Sequence, residues 1–383
     1  MQALAAFAGL LAVAGLGLVW AGALLVRRFA AEPSPEPRVL PGISVLKPLY
    51  RDEPLLEQAL ASVCAQDYPR FQVVFGVQDP ADPALDAVRR VRARFPEADI
   101  AVVVDDSAPG RNRKVANLTN MLPAARHDVL VIADSDVHAA PDYLRRLAAA
   151  LEPAGSGMAT TLYVGLPASH TLAAGLGTSA ITHGFLPGAL LARALGRQDA
   201  LGATMALRRE TLAAAGGFAA LRDHLADDNL LGRRVRALGL AIRLAATVPA
   251  TTVAETRIRA LFRHELRWGR TIRALAPLSF AGSALQYPLA WALLAVALAG
   301  GAAWAIALFL AVSLARAAAA RAVDRALGLG PDSGAPWRWP LRDLMSVAVL
   351  VASYMGDRVE WRGRRMRAEG VPLAAEPLGI ERA

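Results

Sequence analysis

Acidic residues at the mouths of apolar runs are the first in this chain able to do chemistry. Asp134-Ser135-Asp136 directly follows Val129-Leu130-Val131-Ile132-Ala133. Paired carboxylates there suit a divalent cation, Mg2+ or Mn2+, which is commonly held by one or two protein carboxylates together with substrate phosphates. In α/β sheets such ligands gather beyond the carboxyl ends of the strands. A D-x-D alone is more often a solvated turn, so the pair needs support elsewhere in the chain. Asp79 follows a second apolar run at 71–77, and Asp227-Asp228 open a helical stretch that runs on through Asn229-Leu230-Leu231-Gly232. Singly, Asp79-Pro80 reads as a turn and Asp227 as a helix cap; the three together are harder to dismiss. Asp228 is the expected general base, since a carboxylate beside an acceptor hydroxyl can take its proton during attack, an effect of ~10²–10⁴-fold. A metal held by Asp134 and Asp136 would neutralise charge growing on a departing diphosphate.

These residues need a frame. Short apolar runs at 43–46, 71–77, 100–104 and 129–133 alternate with amphipathic stretches at 54–65, 83–95 and 114–122. That alternation predicts an α/β domain whose mostly parallel sheet is covered by helices on both faces. Gly175-Leu176-Gly177-Thr178-Ser179-Ala180 matches a dinucleotide-binding pattern, but no strand at the start of the domain leads into it, so it reads as a chance match.

Composition adds a membrane. Of 383 residues, 55% are hydrophobic. Residues 3–26 carry no charge, enough to cross ~30 Å of hydrocarbon, and Arg27-Arg28 follow. The positive charge after the apolar stretch predicts an uncleaved anchor with the rest of the domain in the cytoplasm. A second apolar block at 278–314, broken by Gly300-Gly301 and ending at Arg316 and Arg321, predicts a transmembrane hairpin. The third, 344–354, is short and flanked by Arg342 and Arg358, which favours a re-entrant or interfacial segment. The expected organisation is an anchor at 1–28, a Pro-rich linker at 29–41, the α/β domain at 42–256, an amphipathic interfacial helix at 257–276, the hairpin at 277–318 and a C-terminal region at 319–383. The net charge of +9 suits an anionic lipid surface or substrate, and no basic motif interleaved with aromatics points to nucleic acid. Cys64 is the single cysteine, and His264-Glu265 lacks the second histidine of a zinc protease, so no zinc site is expected. The stretch 257–273 carries six arginines among Ile258, Leu261, Phe262, Leu266 and Trp268, the spacing of a membrane-surface helix.

Together, Asp79, Asp134-Ser135-Asp136, Asp227-Asp228 and Arg267-Trp268 resemble the D, D, D, (Q/R)xxRW signature of membrane-bound glycosyltransferases of families 2 and 21. Ile43-Ser44-Val45-Leu46-Lys47-Pro48-Leu49, Gln66-Asp67-Tyr68-Pro69 and Val77-Gln78-Asp79 are similar to ceramide glucosyltransferases. Phe75-Gly76-Val77-Gln78-Asp79-Pro80, Asp223-His224-Leu225-Ala226-Asp227-Asp228 and His264-Glu265-Leu266-Arg267-Trp268 look most like bacterial hopanoid-biosynthesis glycosyltransferases. The resemblance covers about 41–276.

It implies a GT-A fold at the cytoplasmic face of the bacterial inner membrane, a UDP-sugar donor, a divalent metal (Mg2+ or Mn2+) and an inverting displacement onto a lipid hydroxyl. Carried over by position, Lys47, Asp79, Lys114, Asp134, Arg267 and Trp268 would contact the donor. Asp134 and Asp136 would hold the metal, Asp228 would be the base, and His183, His264 and Trp268 would meet the acceptor. The pattern departs at His264, which stands where the motif carries Gln or Arg and cannot supply a fixed guanidinium. The leading expectation is transfer of one sugar, N-acetylglucosamine by analogy, to a hopanoid polyol such as bacteriohopanetetrol. The alternatives are glucosyl transfer to ceramide and, from another class, a catalytically silent membrane scaffold that binds nucleotide-sugar. A processive synthase should have more spans and a transporter a smaller soluble part.

Overall fold

The computed structural model describes residues 1–330, 337–361 and 364–368. Its strands are β1 (Ile43–Pro48), β2 (Phe71–Val77), β3 (Ile100–Val104), β4 (Val129–Ala133), β5 (Val137–His138), β6 (Ser156–Thr160), β7 (Val164–Pro167), β8 (Thr204–Arg208), β9 (Ala241–Leu244), β10 (Ala250–Val253), β11 (Arg358–Trp361) and β12 (Arg364–Arg367). The helices are α1 (Gln2–Ala31), α2 (Leu56–Cys64), α3 (Ala84–Arg94), α4 (Arg113–Met121), α5 (Tyr143–Leu151), α6 (Leu172–Ala180), α7 (Leu186–Ala194), α8 (Arg209–Ala214), α9 (Asp227–Ala237), α10 (Ile258–Leu275), α11 (Pro277–Gly282), α12 (Pro288–Leu298), α13 (Ala303–Ala326) and α14 (Arg338–Tyr354).

Seven strands form the main sheet in the order β3-β2-β1-β4-β8-β6-β9. Neighbours from β3 to β4 run parallel, β8 is antiparallel to both β4 and β6, and β6 and β9 are parallel again. The four parallel strands are the four apolar runs expected from sequence. Because side chains alternate along a strand, each run feeds two cores. Val45, Val73, Phe75 and Val131 pack under α2, α3 and α5, while Leu46, Val74, Leu130 and Ile132 pack under α4 and α9. Full burial of each such side chain contributes ~1.5–3 kcal/mol. A second sheet, β5-β10-β7, lies beside the carboxyl end of β4. It escaped the sequence reading because its strands span only two to four residues and carry no run long enough to register.

The expected hairpin falls on α11, α12 and α13. α1 and α13 are each long and apolar enough to cross a membrane; α11 with its following turn and α12 form a pair bent by 66°, a broken span or a re-entrant loop. Helix α13 runs past Arg316 and Arg321, where the apolar block ends, to Ala326; Arg316 and Asp324 on this stretch are buried, Arg316 donating to the His183 carbonyl at 3.3 Å and Asp324 meeting His183 Nε2. Similarly, α1 runs to Ala31, absorbing the first residues of the expected linker, and the short apolar segment at 344–354 is the greater part of α14. Gly15 permits close packing of α1: a Cβ there would stand 2.1 Å from the Leu285 carbonyl oxygen. Within the expected C-terminal region, 331–336, 362–363 and 369–383 lie outside the described residues.

Candidate active site

The carboxyl end of β4 turns sharply into β5, and four side chains hold that turn. Lys47, wholly buried on β1, donates from Nζ to the carbonyls of Asp134 at 2.8 Å and Val137 at 3.0 Å. Ser135 Oγ donates to Glu53 Oε2 at 2.6 Å. From β10, Thr251 Oγ1 donates to Asp136 Oδ2, and the Thr252 amide to the Asp136 carbonyl at 3.2 Å. Burial of its ammonium pulls the Lys47 pKa down to about 8, against the opposing pull of Asp136 and Asp134. The expectation that Lys47 contacts the donor is therefore corrected. Its ammonium is covered and engaged by two carbonyls, and it acts by shaping the acidic turn.

Lys114 brings the acidic elements together. It is buried on α4, 2.6 Å from Asp134 Oδ1 and 3.9 Å from Asp227 Oδ2. Burial alone would lower its pKa, but Asp134 and Asp227 push it above the ordinary lysine range. Asn112 caps α4, its Oδ1 accepting from the amides of Lys114 and Val115, while its Nδ2 donates to the His224 carbonyl at 2.7 Å and to Asp227 Oδ1 at 3.3 Å. One asparagine thus docks the start of α4 onto the loop that leads into α9.

Asp228 follows on the first turn of α9, with Oδ1 accepting from the Asn229 amide at 2.7 Å. Gly202 lies directly against it; a Cβ there would be 2.7 Å from Asp228 Oδ2. Burial, and secondarily the charge of Asp227, raise the Asp228 carboxyl to about 6, with Lys114 opposing. Asp136 is also pushed up, by burial and then by Asp134. Among the described residues no group of three or more His, Cys, Asp or Glu side chains is placed to hold a metal by itself. The donor set at the turn, two carboxylates on one short loop, fits a hard cation that takes its remaining ligands from phosphate and water.

Asp79 lies just past the carboxyl end of β2, the strand paired with β1, and is exposed. Its Oδ1 accepts from the Ala81 amide at 2.8 Å, which makes it a turn residue at the expected edge of the sheet. On α10, His264 Nδ1 pairs with Glu255 Oε1 and its ring meets Trp268 edge-on at 4.7 Å. Burial would push the Glu255 carboxyl up, yet the His264 hydrogen bond and charge carry it below its usual range. His264 Nε2 is buried with no hydrogen-bond partner. Arg267 and Trp268 are half-buried beside it.

His183 does not join this group. It occupies a single π-helical turn between α6 and α7, its Nε2 sits 2.7 Å from Asp324 Oδ1, and its ring packs edge-on against Trp339 at 5.1 Å. Its side chain has no exposed surface, so the expectation of an acceptor contact is corrected to a packing role between the domain and the membrane helices. The residue that sequence reasoning missed is Tyr163. Its ring lies 4.7 Å from that of Phe185, and its phenol is pushed far above the usual range by burial and then by Asp228, Asp134 and Asp136. Nothing in the local sequence marks it, since it precedes a four-residue strand of the small sheet. Thr251 was likewise invisible, its contact with Asp136 spanning 115 residues, and Glu255 carries no motif that marks it as the partner of His264.

Known proteins resemble this arrangement at two levels. A stretch of this chain is 31% identical over 121 residues to a ceramide glucosyltransferase of Komagataella phaffii, covering 30% of this chain and 24% of that protein. Another matches ceramide glucosyltransferase 1 of Caenorhabditis elegans at 32% over 111 residues, 29% of this chain and 23% of the relative. The chain thus matches about a quarter of the length of these curated relatives. In structure, a mannosyltransferase from Pyrobaculum calidifontis, solved in complex with GDP-Man and Mn2+, matches with a TM-score of 0.53 at 21% identity, covering 92% of this chain and 99% of that one. That likeness is one of fold, and the fold is GT-A with apolar helices at both ends. The model of glycosyl transferase family 21 matches residues 7–372, nearly the whole chain. With the acidic turn, the α9 carboxylate and the Arg267-Trp268 helix in one molecule, the chain belongs to glycosyltransferase family 21.

Proposed function

We propose that this protein is a membrane-bound, metal-dependent, inverting glycosyltransferase that moves one sugar, N-acetylglucosamine, from a UDP-sugar to a hydroxyl of a hopanoid polyol such as bacteriohopanetetrol. The observation that carries the reading is the Lys114 bridge. It holds the acidic turn at the end of β4 within one ammonium's reach of Asp227 on the first turn of α9, which supports a role for the adjacent Asp228 beside a diphosphate bound at that turn.

The reaction follows from that spacing. Raised to about 6, the Asp228 carboxyl is mostly ionised at pH 7 to 8 yet more basic than an ordinary aspartate, as a general base requires. It takes the proton of the acceptor hydroxyl as that oxygen bonds to the anomeric carbon, while the bond from this carbon to the diphosphate oxygen breaks and its electron pair leaves with UDP. Attack opposite the leaving group inverts the anomeric configuration. Asp134 and Asp136 would hold Mg2+ or Mn2+, which supplies positive charge for the departing diphosphate. Lys114 supplies a further positive charge at the acidic turn, and the Arg267 guanidinium adds one from α10. Trp268 and His264 face the acceptor, and Asp79 meets the nucleotide. The apolar helices at both ends seat the domain on the cytoplasmic face of the membrane, within reach of a lipid acceptor.

A second reading, glucosyl transfer to ceramide, is favoured by the curated relatives, which are ceramide glucosyltransferases over the matched segment. The two differ in the few groups that touch the sugar and the acceptor. Titration of the purified protein with UDP and with GDP, each with and without Mn2+, tests the common part. The proposal expects UDP to bind and Mn2+ to tighten it. Equal affinity for GDP, or binding indifferent to the metal, would count against it.

A further inference from the structure

Helix α14 buries two neighbouring residues of opposite charge and uses each to grip a different helix. Arg342, 3% exposed, forks onto Glu265 of α10, with Nη1 donating to Oε1 at 2.7 Å and Nη2 to Oε2 at 2.6 Å. Nη1 also donates to the Leu176 carbonyl of α6 at 3.3 Å, and Nη2 to Ser346 Oγ at 3.0 Å. The next residue, Asp343, accepts from the Leu289 amide in the first turn of α12 at 3.1 Å. One turn of α14 therefore ties α10 both to the α/β domain and to the membrane helices. Further along the same two helices Gly269 of α10 permits close packing on α14; a Cβ there would come 2.5 Å from Ser353 Oγ and 3.3 Å from Val349 Cγ1.

Arg267 and Trp268 stand two and three residues beyond Glu265, within one helical turn of the fork. A two-pronged arginine–carboxylate bond fixes orientation as well as distance. A buried ion pair is a weak source of stability, since taking both charges out of water costs much of what their attraction returns. Geometry is the better account of it. Resting on the reading in which Arg267 serves the donor diphosphate and Trp268 the acceptor, we propose that Arg342 is a positioning residue, which through Glu265 sets the rotation and height of α10 that aim those two side chains.

The test uses the full-length protein in detergent. Arg342→Lys keeps a positive charge opposite Glu265 but loses the planar fork, and Glu265→Gln keeps the shape but loses the charge. For both, UDP affinity in Mn2+, amide hydrogen exchange along α10 and thermal melting are measured. We expect the lysine variant to melt close to wild type, α10 to exchange faster, and UDP to bind roughly tenfold more weakly, the size expected when a charged hydrogen bond is lost. Unchanged UDP affinity in both variants, with wild type binding normally, overturns the proposal alone. Wild-type protein that binds no UDP removes the donor reading and this proposal with it.

Discussion

Replacing Asp228 with Asn separates what this carboxylate does for the reaction from what it costs the fold. The Asn side chain is nearly the same size and still accepts from the Asn229 amide, but it takes no proton from an acceptor hydroxyl. Transfer should therefore fall by ~10²–10⁴-fold while UDP still binds. The fold should respond in the opposite sense. Burial and Asp227 raise this carboxyl from its ordinary 3.8 to about 6, a difference worth at most ~3 kcal/mol for a half-buried group. Between those values the folded state keeps a proton that the unfolded chain has released, so stability declines as pH rises through this window and the full cost is present above 6. Asn carries no such cost. The variant should therefore melt above wild type at pH 7.5, with the gap narrowing at pH 4.5. Melting curves at the two pH values and initial transfer rates at pH 7.5 supply both readings. An Asn variant that transfers at the wild-type rate, or a melting gap that does not move with pH, would refute the assignment.

Other perturbations follow from the same geometry. Lys114→Ala leaves Asp134 and Asp227 without their shared cation and should destabilise the protein by about 3 kcal/mol, measured by denaturant unfolding, with UDP affinity falling in parallel. Asp136→Asn should abolish the gain in UDP affinity on adding Mn2+, and chelation of the wild type should stop transfer until Mg2+ or Mn2+ is returned. Gly15→Ala forces a methyl against the Leu285 carbonyl and should cost ~1–3 kcal/mol, whereas Gly17→Ala on the same helix, with nothing within 4 Å, should be neutral in a melting assay. In wild type, kcat/KM should rise with pH through about 6 as Asp228 ionises, and level off above it.

The parts of the molecule legible in sequence are those whose signal is local. Strands β1 to β4 are unbroken apolar runs, and Asp134-Ser135-Asp136 declares itself by following one of them. The start of α9 at Asp227 was readable from the helical pattern that follows it. Lys47 was misplaced because sequence position says that a lysine lies near the acidic turn, not that its ammonium is spent beneath it. His183 was misplaced for the same reason, since its partner Asp324 is 141 residues away. Helix α13 outlasts the apolar block because Arg316, which reads as a boundary in sequence, is buried with a partner in the fold. Tyr163 comes under the influence of the carboxylates only when β7 pairs with β10, a match of four residues between distant segments that no periodicity announces.

The most direct test of the proposed function is to identify the product. Purified protein with Mn2+ would be offered UDP-N-acetylglucosamine and UDP-glucose together, with bacteriohopanetetrol and ceramide in mixed micelles, and the lipids read by mass spectrometry. The account predicts an N-acetylhexosamine adduct on the hopanoid, absent with Asp228→Asn. A hexose on ceramide would transfer the assignment to the second reading, and unmodified lipid in every combination, from protein that binds UDP, would contradict the claim that this site transfers sugar to either acceptor.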